Sequence, residues 1–149
     1  MIQVDFMPVS AAPEAKIGFA VIMARTACGW LFVRKKSSVT WEIPGGHREP
    51  GEAVGETAVR ELYEETGACA SVMEPVTAYR VTDGAKISYG VLYFAEVCIQ
   101  GALPESEIAE VVCADALPEA LTYPAIQPHL FMRGAEFALT WDYAMSDVF

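Results

Sequence analysis

Short apolar runs alternate along this chain with polar breaks that carry glycine or proline. Residues 17–24, IGFAVIMA, are short, apolar and rich in β-formers, and predict a buried strand. Thr26-Ala27-Cys28-Gly29 predicts a turn, and Trp30 to Arg34 predicts a returning strand. Residues 1–15 hold two of the prolines and predict an irregular or edge segment. Ser37 to Thr40 reads as a loop. Val72 to Val81 and Ile87 to Ile99 predict a hairpin across Thr82-Asp83-Gly84-Ala85, where Asp-Gly is the turn signal. Gln100 to Ser106 is a loop, Ile108 to Cys113 a strand, and Leu117 to Leu121 a short turn or helix. A late helix is expected to end near Arg133, with Gly134 as its stop. Pro124 or Pro128 opens it; Pro128 is the safer start, because proline suits a first turn and breaks an interior. Glu136 to Tyr143 reads as a last strand or an extended tail. One further helix, in residues 45–68, completes a pattern of mixed α and β, hence an α/β class.

Length and composition narrow this picture. A chain of 149 residues, 53% hydrophobic, suits a single folded domain over 1–149. The net charge is −10, from 20 acidic and 10 basic residues. That argues against a nucleic-acid backbone as partner. It also means that an anionic small molecule needs metal or a local basic patch to bind. Cys28, Cys69, Cys98 and Cys113 form no C-x-x-C pair and lie far in sequence from His47 and His129, so buried free thiols in a reducing cytoplasm are expected rather than zinc. Asp5 and Pro8 stand where a signal peptide would be basic and then apolar. The longest apolar stretch, Ile87 to Ile99, is too short for a membrane span and contains Glu96. These features predict a cytoplasmic protein with no membrane partner, a monomer or a homodimer.

The chemistry concentrates between Gly45 and Ala68, GGHREPGEAVGETAVRELYEETGA. A glycine pair leads through a loop into a helix. At about 100° per residue, Glu61, Glu64 and Glu65 share an arc of roughly 100° on that helix. Ala58, Leu62, Thr66, Val59 and Tyr63 occupy the neighbouring arc, which can bury against a sheet and leave the carboxylates facing a cleft. Such a cluster repels itself unless a cation sits in it, and Mg²⁺ takes carboxylate oxygens together with water and substrate phosphate. The alternative is an ordinary solvated helix face. Against it, Glu64 and Glu65 have Ala68 and Cys69 four residues on, not basic partners. Gly67 is a natural left-handed stop.

This segment resembles the Nudix signature, in which a glycine, five residues, a glutamate and seven residues lead into R-E-U-x-E-E-x-G-U, with U a bulky aliphatic residue. Here Gly46 is followed by five residues and Glu52, then seven residues and Arg60-Glu61-Leu62-Tyr63-Glu64-Glu65-Thr66-Gly67-Ala68. Only Ala68 is small for its position. The lead-in Trp41-Glu42-Ile43-Pro44-Gly45-Gly46 is similar to the family's strand-to-loop entry. The resemblance implies an α/β/α sandwich with a mixed sheet, and a Mg²⁺-dependent hydrolase (Mn²⁺ also serving) of a nucleoside diphosphate linked to another group. It implies Glu61, Glu64 and Glu65 as metal ligands and catalytic residues, joined by the Gly45 carbonyl, and Glu52 with Arg60 as a structural pair. The general base is Glu61 or a glutamate beyond the signature. Length and the segment Leu121 to Leu130 are similar to the small MutT-type nucleoside triphosphate pyrophosphohydrolases. Ile126, with Gln127 beside it, stands where the best-known member carries a base-reading asparagine.

Other candidates lie outside the signature. Arg34, Lys35 and Lys36 are the densest basic cluster; in the family a basic residue there reaches substrate phosphates, and Gly46 lets backbone approach the same group. The alternative is a solvated hairpin end. Arg25 is a weaker candidate. Glu96, in an apolar strand, either faces solvent or turns to the metal cleft; Glu105 or Glu107 are the other choices for a late glutamate. Trp41, Tyr79, Tyr89 and Phe19 either stack on a base or belong to core and rim. His47 reads as surface. Two functions remain open, an enzyme adding water to a phosphoanhydride and a catalytically silent nucleotide-binding regulatory module of the same fold. A calcium helix-loop protein is disfavoured, because the Asp/Asn-rich loop spacing is missing.

Overall fold

A computed structural model describes residues 1–147. Eight strands form one mixed sheet. They are β1 (Ile2–Met7), β2 (Ile17–Thr26), β3 (Gly29–Lys35), β4 (Trp41–Glu42), β5 (Gly45–His47), β6 (Ala68–Asp83), β7 (Lys86–Gln100) and β8 (Ile108–Ala114). Helix α1 (Val54–Thr66) precedes β6, and α2 (Gln127–Ser146) ends the described chain. The main path runs β1-β6-β7-β2-β3-β4, with β8 paired to β3. Among the named strand pairs of the described residues, β2 and β7 are parallel and the others antiparallel.

Strand β2 explains the architecture. Its apolar run is unbroken because both sheet faces are covered. Ala20, Ile22 and Ala24 pack with Ala58 and Leu62 of α1. Val21 and Met23 pack with Leu130 and Ala138 of α2 on the other face. The strand also forks. Its first half pairs with β5, Val21 opposite Gly45, while its end pairs with β3, Arg25 opposite Trp30. The gap opened by the fork lets β5 meet the side of α1.

Several expectations are realised. Residues 1–15 supply an edge strand, β1, and two short 3-10 turns, Val9–Ala11 and Glu14–Lys16. The hairpin turns at Gly84, whose φ is 61°. Pro75 is accommodated where the β6–β7 register shifts. Helix α1 begins where the Glu56 side chain accepts the Ala53 N–H at 2.8 Å. It stops at Gly67, φ 75°, where a Cβ would stand 2.7 Å from the Gly101 carbonyl oxygen. No helix among the described residues is long and apolar enough to cross a membrane.

Three expectations are corrected. Of the α1 arc expected to bury, Ala58, Leu62 and Thr66 do so, but Val59 and Tyr63 are exposed, because the buried stripe of the helix is narrower than the apolar arc. Gly134 does not stop α2, which opens around Pro128 as expected but continues to Ser146, so residues 136–143 are helix rather than strand or tail. Gly134 is instead a contact point, since a Cβ there would lie 2.6 Å from Met23 Cγ. Packing of Phe137 and Trp141 against Phe94 carries the helix onward, tertiary burial outweighing the local breaker. The cysteines are not four buried free thiols either. Cys28 and Cys113 form a disulfide across a separation of 85 residues, and Cys69 and Cys98 are free but exposed.

Candidate active site

The site grows from the contact of β5 with α1. Pro44 and the β2 pairing fix Gly45 and Gly46 beside the helix, and the Gly45 N–H donates to Glu65 Oε1 at 2.9 Å. At Gly46 an added Cβ would fall 2.3 Å from the Glu61 carboxyl carbon. The Glu61 carboxylate thus lies against the bare Gly46 backbone, a placement open only to glycine.

Arg60 organises the rest. Its Nε and Nη2 donate to both oxygens of Glu52, at 2.7 and 2.9 Å, in a bidentate pair. Nη2 also donates to the His47 carbonyl at 3.0 Å. Nη1 reaches Glu61 at 2.9 Å and Glu64 at 3.2 Å. Glu52 accepts further hydrogen bonds from Thr57 Oγ1 and the Glu49 N–H. Arg60 foremost, then Thr57, holds the Glu52 carboxyl down at about 2. The Glu52–Arg60 contact ties the loop to the helix.

The remaining carboxylates are in tension. Glu65 is 6% exposed. Burial pushes its carboxyl up to about 8; the Gly45 N–H opposes this, while the charges of Glu61 and Glu42 add to it. Burial also raises Glu61, with Arg60 opposing and Glu64 and Glu107 adding. Lys35 faces this group, 3.7 Å from Glu107 Oε1. Burial works against its charge, but Glu42, Glu107, Tyr123 and Glu65 together outweigh that and raise it.

Arg60 Nη1 engages both Glu61 and Glu64, and among the described residues no three acidic, histidine or cysteine side chains converge into a ready cage for a metal ion. The donor set nevertheless fits a hard divalent cation in kind. It consists of carboxylate oxygens on one rigid helix, with Glu61 and Glu65 pushed up by burial and by neighbouring carboxylates, beside a glycine backbone. A cation would relieve that repulsion.

The outer candidates separate. Lys35 joins the carboxylates, but Arg34 does not. Arg34 donates to the Ser38 carbonyl at 3.0 Å and to Glu110 at 3.2 Å, and lies over the Trp41 ring. Neighbouring residues of a strand point to opposite faces, so the two bases part. Glu96 neither faces the cleft nor stands free. Arg25 Nε donates to it at 2.6 Å and binds Asp142 of α2 with its other two nitrogens, so both Arg25 and Glu96 serve the α2 side. Glu107 is the late glutamate near the signature, and Glu105 makes no hydrogen bond or ion pair among the described residues. Tyr79 is buried core, Tyr89 and Trp41 are half-buried, and the rings of Phe19 and His47 meet at 4.4 Å beside Gly46. Gln127 is buried and its Oε1 accepts the Ile43 N–H at 2.6 Å. Glu42, outside the candidates above, also acts on Glu65 and Lys35 through its charge. Its alternation with Trp41 and Ile43, which pack toward α2, was the available signal.

Comparison with known proteins agrees with this layout. The family profile described as NUDIX domain matches residues 14–132. Over 98 residues the chain is 35% identical to the "Putative mutator protein MutT4" of Mycobacterium tuberculosis (strain CDC 1551 / Oshkosh), a match covering 61% of this chain and 40% of that protein. Over 63 residues it is 38% identical to a "Putative 8-oxo-dGTP diphosphatase" of Bacillus subtilis (strain 168), covering 42% of each. The matched part is thus less than half the length of these two relatives. Among solved structures, a variant of the Bacillus subtilis pyrophosphohydrolase BsRppH superposes with a TM-score of 0.74 at 23% identity, covering 91% of this chain and 90% of that one. The α/β/α sandwich expected from the signature is the fold shared with that structure. Since the profile runs through the forked sheet, α1 and the opening of α2, this chain belongs to the NUDIX domain family.

Proposed function

We propose that the chain, as one domain, hydrolyses a phosphoanhydride bond in a nucleoside diphosphate linked to another group, with Mg²⁺ as cofactor and Mn²⁺ able to replace it. The preferred substrate class is a nucleoside or deoxynucleoside triphosphate cleaved in the MutT manner. The observation that carries this reading is the meeting of Glu61 and Glu65 with the Gly45–Gly46 backbone, with Lys35 facing them. Two relatives whose names refer to mutator and 8-oxo-dGTP diphosphatase activity support the choice of substrate class.

Glu61, Glu64, Glu65 and the Gly45 carbonyl would hold the cation. When bound, it supplies neutralisation of phosphate charge and acidification of a water molecule at the site. Glu61, whose carboxylate lies against the bare Gly46 backbone, takes the proton from the attacking water. Lys35 meets an anionic phosphate with its ammonium. Gly46 leaves the backbone bare beside the reacting group. Glu52 holds Arg60 in place on the helix.

The test is turnover of a panel of nucleoside triphosphates, oxidised nucleoside triphosphates, ADP-ribose and dinucleotides with Mg²⁺, with products identified. Release of pyrophosphate or phosphate that Glu64→Gln or Glu65→Gln abolishes is the expected result. Tight nucleotide binding without release would instead identify a silent binding module, a reading for which the occupied Arg60–Glu61–Glu64 contacts speak.

A further inference from the structure

The signature loop is held from two sides. From the helix side come Arg60, Thr57 and Glu56. From the sheet side comes Arg48. Its backbone N–H donates to the Gly18 carbonyl at 2.8 Å. Its side chain, 20% exposed, reaches three separate partners. Nε donates to the Glu52 carbonyl at 2.6 Å. Nη1 donates to the carbonyls of Glu14, at 2.9 Å, and Ile17, at 3.3 Å. Nη1 and Nη2 both bind the Glu14 carboxylate.

Glu52 is therefore gripped at both ends. Arg48 holds its carbonyl, and its carboxylate holds Arg60, whose last nitrogen holds Glu61 and Glu64. A continuous chain of charge-assisted contacts runs from Glu14, ahead of β2, to two of the site's carboxylates. A lysine could not replace Arg48, because one ammonium cannot span Glu52 and Glu14 as a guanidinium does.

We propose that Arg48, braced by Glu14, is a positioning residue for the carboxylate site, which sets how readily Glu61 and Glu64 take up a divalent cation. The proposal rests on reading that site as a cation site. Residues that orient ligands from one shell out change metal affinity by about 10–100-fold when removed. Arg48 acts through Glu52 and Arg60, so the lower end applies.

The experiment is Mn²⁺ binding to the whole chain, read from loss of the free-ion electron paramagnetic resonance signal, well below each variant's melting temperature. Arg48→Ala is expected to weaken Mn²⁺ about 10-fold. It should raise the metal concentration for half-maximal turnover by the same factor and leave the nucleotide KM at saturating metal unchanged. Arg48→Lys should recover only part of the loss, and Glu14→Ala should shift affinity in the same direction by less. Unchanged Mn²⁺ affinity in folded Arg48→Ala overturns the proposal; if that variant does not fold, unchanged affinity in Glu14→Ala does so. Absence of Mn²⁺ binding by the unaltered chain overturns the cation site itself, and this proposal with it.

Discussion

At the scale of single residues, the site balances groups held charged against groups pushed toward neutrality. Glu65 carries the larger consequence. Its folded pKa, about 8, lies above its ordinary 4.5, so the folded chain keeps a proton that the unfolded chain releases. Stability in a chelator should therefore fall as pH rises from about 4.5 to about 8, and level off above that. Denaturant melts across this range test it, and Glu65→Gln should flatten the profile. Glu52 has the opposite sign. Its folded value, about 2, lies below its ordinary 4.5, so its contribution is fully present above that value and is lost as pH falls toward 2. Glu52→Gln should remove that acid-side loss and lower stability near neutrality. Gly46 is a steric case. Gly46→Ala places a methyl where the Glu61 carboxyl stands and should cut turnover about 10²-fold or more, as loss of a placed acid–base group does. Near-normal kcat in that variant would show that the Glu61 position is not used.

At the scale of elements, α1 and α2 differ in how far local signals reach. In α1 the spacing of carboxylates, the Glu56 contact at its start and the Gly67 stop are all local, and the helix lies where its sequence predicts. In α2 the local signal at Gly134 is overruled by packing of Phe137 and Trp141 against Phe94, while Gly134 itself meets Met23. Two effects compete in Gly134→Ala. Helix propensity favours alanine by about 1 kcal/mol. Forcing a methyl into Met23, which is 1% exposed, costs about 1–3 kcal/mol. The close approach should win, lowering the denaturation midpoint; a rise would mean that Met23 moves aside without cost. The β3–β4 region repeats the lesson. Arg34 and Lys35 are adjacent and alike in charge, yet strand alternation assigns one to Trp41 and Glu110 and the other to the carboxylates.

At the scale of the whole molecule, contacts between distant segments tie the fold together, and three of them join separate parts of it. Arg25 joins β7 to α2 through Glu96 and Asp142. Arg48 joins the turn before β2 to the signature loop. The Cys28–Cys113 disulfide joins the β2–β3 turn to the end of β8. Closing a loop of this length restricts the unfolded chain, and disulfides of this kind contribute about 2–4 kcal/mol. Melting with and without a dithiol reductant tests the bond. The melting temperature should fall on reduction, and the double variant Cys28→Ser, Cys113→Ser should melt low and ignore the reductant. An unaltered chain indifferent to reductant would show that the pair is not joined in solution.

What the amino-acid order determined by itself is local geometry. The signature spacing, the shared arc of Glu61, Glu64 and Glu65, the Asp-Gly hairpin and the doubly buried strand all follow from helix pitch, turn chemistry and strand alternation over a few residues. Tertiary structure alone decided which late glutamate stands near the site, which base of the Arg34–Lys35 pair joins it, where α2 ends, and that Arg48 and Glu14 brace the loop. Those outcomes depend on partners far apart in the chain, 34 residues for Arg48 and Glu14 and 117 for Arg25 and Asp142. No periodicity reaches that far, because such contacts are selected by how the sheet faces pack and not by the conformational preferences of neighbouring residues.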